Sequence, residues 1–390
     1  MPSHPSRFRL CIFTVGALTT LLAAQEPKQE PVVALDLAAL AHQHALLAAR
    51  LDAAKPLELP NGGLCGVQGA TTVRLGGKAA VTLQLPLPQL TQSQVPLVFG
   101  LVARPPEALQ SLALHSDADG DRLVAVLQGK SGTEVTLAWN AIVLLAERPE
   151  PAPAAAAQPF LAATPCAQSG DAAIAALADA LAPVDAPTPK LATALQDWLP
   201  GQPPKKRPRS MDALGLLASG NHGICTMNAN LGVALLRQRG VPARSLAVVP
   251  TTGQKLEMHR IVEWHADGHW HRFDPSRVHA EVPMRSSQSV VMAHSSIADE
   301  ERGGKLRMAV PVGCPFGQEI EIVRGQAMLF GTDFFWTQAL PLAAFAAEEV
   351  DVKAAATAWQ QFRREGRAAP AADRAAAAGD GPAFHAAWGN

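Results

Sequence analysis

The sequence has no tyrosine among its 390 residues, so no phenol can serve as a general acid or as a donor to an oxyanion. Cysteine is scarce: Cys11, Cys65, Cys166, Cys225 and Cys314, none in a CxxC spacing. So few in a chain of this size argue against a disulfide-built scaffold. Excess charge is also missing. Lys plus Arg number 33 and Asp plus Glu 34, a balance that excludes the electrostatic footprint of a nucleic-acid binder or of a protein drawn to anionic membranes. The basic run Lys205–Arg209 reads as a solvated loop in so neutral a chain. There is no HExxH motif and no internal repeat. Asp117-Ala-Asp-Gly-Asp121 lacks the glycine placement and the twelfth-position Glu of a calcium loop, so it reads as a hairpin turn.

Hydrophobic residues make up 48% of the chain, enough for two domains with cores of their own. Arg7 and Arg9 precede an apolar run, Leu10 to Ala24, that ends in small residues before Gln25-Glu26-Pro27. A run of about 15 residues is shorter than the ~20 a spanning helix needs. Residues 1–24 are therefore expected to be a signal peptide, removed on export to the cell envelope or the medium, with no stable membrane insertion afterwards. No Cys follows the run, against a lipoprotein, and the two arginines are not adjacent, against a twin-arginine signal.

Residues 30–147 form the first expected domain. Leucines at positions 35, 37, 40, 46, 47 and 51 suit an amphipathic helix. Short β-like runs then start near 80, 95, 122 and 134, separated by Gly, Pro and Asp. A Pro/Ala-rich linker is expected over 148–160, a second domain over 161–345 and an Ala-rich helical or disordered tail over 346–390.

The chemistry concentrates between Gly223 and Pro275. After Cys225 the apolar residues fall at Met227, Leu231, Ala234 and Leu235, a helical stripe closed by Gly240 and Pro242. Cys225 thus sits in the first turn of a helix, where unpaired N–H groups and partial positive charge favour a thiolate. Two extended runs, His259–Trp264 and His269–Asp274, flank Asp267-Gly268, a strong hairpin signal. Pairing 266 with 269 places Ile261 opposite Asp274 and His259 opposite Ser276. His259 and Asp274 become diagonal neighbours on one face, about 7–8 Å apart at the backbone and within reach of a hydrogen bond. A slip of one residue would separate them. Cys225 then reads as nucleophile, His259 as base and Asp274 as the group that orients the base. His265, His269 and His271 read as ordinary strand positions, and Arg244 and Glu263 as a structural ion pair or turn anchor.

These segments in this order resemble the transglutaminase-like superfamily. The matching text is Gly223-Ile-Cys225, Arg239-Gly-Val-Pro-Ala-Arg244, His259-Arg-Ile-Val-Glu263 and Trp270-His-Arg-Phe-Asp274-Pro275. Arg260 and Ile261 stand where the family usually has Ala-Trp. The resemblance implies an α+β, papain-like core in which a Cys-bearing helix packs on an antiparallel sheet bearing His and Asp. The small β-rich domain precedes it. It also implies cysteine-dependent amide hydrolysis or acyl transfer on a protein or peptide substrate. Nothing in the residues marks a cofactor or metal site, including the calcium sites that some cross-linking members carry. A protein-glutamine transglutaminase and a non-catalytic binding module on the same fold are the alternatives. The family adds a side-chain donor to the oxyanion site, for which Trp198, Asn221 and His222 are the candidates.

Overall fold

A computed structural model describes residues 32–53, 62–117, 120–146, 154–206, 208, 210–220, 223–251, 258–301, 321–330, 335–340 and 352–366. The expected signal peptide, Cys11, Cys314, Asn221, His222, residues 148–153 of the expected linker and residues 346–351 and 367–390 of the expected tail lie outside them.

Strand β1 (Val33–Ala34) and helix α1 (Leu37–Ala53) come first. Six strands follow: β2 (Gly62–Leu75), β3 (Val81–Pro86), β4 (Gln94–Arg104), β5 (Leu109–Asp117), β6 (Gly120–Leu127) and β7 (Glu134–Ala146). Strict alternation makes the short ones. In β3, Val81, Leu83 and Leu85 are buried, and they face Leu127, Ala125 and Leu123 of β6. β4 is buried on nearly every residue because α1 covers its outer side. Gly100 permits this closeness: a Cβ there would lie 2.3 Å from the His44 backbone nitrogen.

The second half begins with helices α2 (Ala154–Ala157), α3 (Ala172–Leu181), α4 (Thr188–Trp198), α5 (Ala213–Ser219) and α6 (Cys225–Gln238). Next come β8 (Ala243–Pro250), β9 (His259–Ala266), β10 (His269–Phe273) and β11 (Ser289–His294), which form one antiparallel sheet in the order β10-β9-β8-β11. Helix α7 (Ile297–Glu301), strands β12 (Glu321–Arg324), β13 (Ala327–Phe330) and β14 (Phe335–Leu340), and helix α8 (Val352–Glu365) complete the described chain.

Helix α6 is central to the second half. Met227, Leu231 and Leu235 are fully buried against Ile174, Leu195, Leu216, Val262 and Phe273. Burying each such side chain contributes about 1.5–3 kcal/mol. Gly232 brings the helix onto the sheet, since a Cβ there would stand 3.1 Å from Val262 Cγ2 and 3.2 Å from Phe273. The helix ends at Gly240, with φ of 72°, in a Schellman motif: the Gly240 N–H donates to Arg237 O and the Val241 N–H to Leu236 O. Arg237 and Glu300, both buried, form a two-pronged ion pair at 2.7 and 2.9 Å, and Thr164 donates to the same carboxylate.

The expected segmentation needs two corrections. Residues 154–161, placed in the linker, are helical, and Phe160 packs edge-on against Trp270 at 5.7 Å. Residues 321–330 and 335–340, placed with the second domain, return to the first-half sheets: β12 pairs with β3, while β13 and β14 pair with β2. They cover β2 along the edge that β7 leaves open. The helix allowed for in the Ala-rich tail is present as α8. In α8, Trp359 and Phe362 are buried in the first-half core, and Asp121 accepts from Trp359 Nε1 and Arg363 Nε. The halves also share apolar packing, with Ala247, Val249, Val290 and Met292 in the same cluster as the first-half strands. Gln89 and Gln94 bond the main chain of β11. The α+β class expected from the sequence is the one observed, with antiparallel sheets and a β-rich first half. Among the described residues no helix is long and apolar enough to cross a membrane.

Candidate functional site

The site is assembled from three local structures. The first is the start of α6. Gly223 lies against α5, where a Cβ would meet Leu216 Cδ1 at 2.3 Å, so only glycine passes there undisturbed. Ile224 is the N-cap and has no side-chain acceptor, so the first-turn N–H groups around Cys225 are left without a capping side chain.

The second is the β9–β10 hairpin. Asp267 and Gly268 both have positive φ, 51° and 77°, the two-residue turn whose twist matches the flanking strands. The register runs His269↔Ala266 through Phe273↔Val262, so the next residues in line are Asp274 and Ile261, as expected from the sequence. His259 Nε2 lies 2.8 Å from Asp274 Oδ2. With Nε2 on the carboxylate, Nδ1 is the ring nitrogen left for the Cys225 thiol, which is hydrogen-bonded to His259.

The third is the turn after β10. Asp274 is buried, and its Oδ1 accepts from the Ser276 N–H at 2.9 Å. Gln196 of α4, fully buried, donates from Nε2 to the Asp274 main-chain oxygen at 2.9 Å. Asn228, in the first turn of α6, donates to Ser276 Oγ at 3.0 Å, which ties the Cys225 helix to the Asp274 turn. Arg277 Nε approaches Asp274 Oδ2 at 3.3 Å.

The electrostatics follow from these contacts. Burial pushes the Cys225 thiol upward. The His259 hydrogen bond and charge, the Arg260 main-chain N–H on the sulfur and the Arg260 charge outweigh it and hold the thiol below its ordinary range. Burial likewise opposes the charged form of His259, but Asp274 and Cys225 raise it to about 9. The pair favours thiolate and imidazolium. Cys166 shows the opposite environment: burial, then the nearby Glu300 and Asp299, push its thiol up to about 12. Cys65 is fully buried.

The three residues singled out from the sequence are thus in one chain of contacts. Arg244 and Glu263 pair at 2.6 Å, with the Arg244 guanidinium 4.4 Å over Trp270. Trp198 packs against the helical core, and among the described residues no hydrogen bond or ring contact joins it to Cys225. His265 packs edge-on against Trp270, and His271 stacks on Trp264. Among the described residues no cluster of three or more His, Cys, Asp or Glu could hold a metal. Sequence reading missed Gln196, Asn228, Ser276 and Arg277. Gln196 had a signal: it is a polar residue on the stripe formed by Leu191, Ala192 and Leu195. Ser276 had one too, since an Asp two residues before a turn N–H is an Asx-turn.

Residues 175–275 match the family model of the transglutaminase-like superfamily, the interval that holds all three residues. A crystal structure from Cytophaga hutchinsonii, of a protein provisionally named a cysteine protease, superposes with a TM-score of 0.53 at 18% identity, covering 72% of this chain and 92% of that one. At that identity the likeness is one of fold. No protein of curated function matches the chain.

Proposed function

We propose that the protein is a cysteine-dependent enzyme that cleaves amide bonds, with Cys225 as nucleophile, His259 as acid–base group and Asp274 as the orienting carboxylate. The observation that carries this reading is the 2.8 Å His259–Asp274 contact, in a hairpin whose His259 also meets a thiol at the start of α6. The transglutaminase-like match and the cysteine-protease fold likeness support the same class.

The chemistry runs in two halves. The Cys225 thiolate attacks the carbonyl carbon, forming a C–S bond as charge moves to the carbonyl oxygen. First-turn N–H groups of α6 face that developing charge. His259, protonated at neutral pH, gives its proton to the departing amine as the C–N bond breaks, leaving a thioester. Neutral His259 then takes a proton from water, whose oxygen attacks the thioester. Cys225 leaves as thiolate and the carboxylic acid is released. An amine in place of water would give acyl transfer. Hydrolysis is the favoured outcome because water is always present and no amine-donor site is marked in the sequence.

The N-terminal run from Arg7 to Ala24 supports export, and we infer an extracytoplasmic protein or peptide substrate. The test is substrate profiling of the purified protein against its Cys225→Ala variant, with a peptide library and with a Gln-containing protein plus a primary amine. New peptide termini produced by the native protein alone support hydrolysis. Amine incorporation alone moves the reading to acyl transfer. Identical products from native protein and variant would sink it.

A further inference from the structure

The site leaves one exposed charge that the mechanism does not use. Arg277 is 55% exposed, yet its Nε lies 3.3 Å from Asp274 Oδ2, the same oxygen that His259 engages. The main-chain Arg277 N–H also reaches Asp274 O at 3.3 Å, so the turn fixes where the side chain starts. A guanidinium offers five donors in a planar fork. With Nε toward Asp274, the half-exposed guanidinium stands one carboxylate away from the His259 imidazole.

The charge count gives Arg277 a purpose. Thiolate, imidazolium and carboxylate together carry one net negative charge, which would repel an anionic substrate. Arg277 cancels it. Arg260 also contributes positive charge at Cys225, but it is buried and donates from Nη1 to Ser245 and Ser295, so a substrate cannot reach it. Further cations lie nearby. Lys205 and Lys206 are exposed, and the Lys205 N–H bonds Ser219 O at 3.0 Å on the last turn of α5. Leu216 of the same short helix touches Gly223, two residues before Cys225. Other polar groups near the turn have partners: His279 sits 3.3 Å from Asp197, and Arg285 pairs with Glu281 at 3.2 Å.

We propose that Arg277 is a specificity-determining residue that reads a carboxylate on the acyl donor, and that the substrate is an amide with an acidic group adjacent to the scissile bond. The exposed Lys205 and Lys206 add a longer-range attraction. The inference rests on Cys225 being the reacting thiol.

A matched pair of alkylating probes tests it: N-iodoacetylglycine and N-iodoacetylglycinamide, which differ only in the terminal carboxylate. In each, the Cys225 thiolate displaces iodide, forming a C–S bond as the C–I bond breaks. Both probes meet the same thiolate, so the ratio of their rates cancels any change in thiol ionisation. Relative to a free cysteine peptide, the native protein is expected to favour the acid about fivefold at low salt, with the preference shrinking as salt rises. Arg277→Gln abolishes the preference and Arg277→Lys keeps part of it, because Lys supplies charge without the fork. An acid-to-amide ratio unchanged by Arg277→Gln, with Cys225 still reacting fast, overturns this inference alone. If neither probe labels Cys225 faster than Cys65 and Cys166, the underlying reading fails and the inference fails with it.

Discussion

His259 Nε2 and Asp274 Oδ2 stand 2.8 Å apart, and this contact governs the protonation of the whole site. Asp274 is the first of the groups that raise His259, to about 9. A raised imidazole stays protonated at neutral pH and loses its proton as pH climbs through about 9. Amide cleavage needs that proton for the leaving amine, so kcat/KM should hold through neutral pH and fall on the alkaline side near 9. Asp274→Asn removes the largest stabilising contact. The alkaline limb should move to lower pH, with a rate loss on the order of 10³–10⁴. A pH–rate profile of the variant on the amide found by profiling checks both. An unshifted limb would mean that Asp274 does not set the His259 proton.

Gly232 lets α6 lie directly on the sheet, with Val262 and Phe273 within 3.2 Å of where a Cβ would be. Gly232→Val should cost about 1–3 kcal/mol by overpacking. Moving α6 away from β9 should also lengthen the Cys225–His259 contact. Denaturant unfolding gives the first effect, and the apparent thiol pKa from alkylation gives the second, which should rise toward the ordinary value. Loss of stability with no change in thiol pKa would show that α6 does not carry the thiol's position.

The Arg237–Glu300 pair holds the chain around residues 162–164 and α7 against α6, with side-chain exposures of 0% and 5%. Glu300→Gln leaves Arg237 charged and buried without its counter-ion. The expected loss is about 3–5 kcal/mol, read as a lower Tm and denaturant midpoint. Replacing both residues with apolar ones of similar volume should recover much of it, because the desolvation cost of the pair disappears as well.

The candidate site was largely legible in the sequence because its geometry is local. A helical stripe beginning at Cys225, a two-residue turn at Asp267-Gly268 and the period of a strand place Cys225 in a first turn and bring His259 and Asp274 together. What supports those residues was less legible because it is not local. Gln196 reaches Asp274 from another helix, and Asn228 reaches Ser276 across 48 positions. The segmentation failed for the same reason. Strands β12, β13 and β14 carry no mark of the sheet they join, and their partners β2 and β3 lie far earlier in the chain. Where the tail helix docks was hidden because its two anchors, Trp359 and Phe362, are few among many alanines.

The most direct measurement on the central claim is the rate of iodoacetamide labelling at each cysteine as a function of pH, read by peptide mass. A thiolate favoured by His259 should make the Cys225 rate fall less steeply with falling pH than that of an ordinary thiol near 8.5, which loses about tenfold per pH unit. His259→Ala should return Cys225 to the ordinary slope. Cys65 and Cys166 should remain slow throughout, the one buried and the other pushed up to about 12. A native Cys225 that titrates like a free thiol, with or without His259, would contradict the assignment of Cys225 as an activated nucleophile.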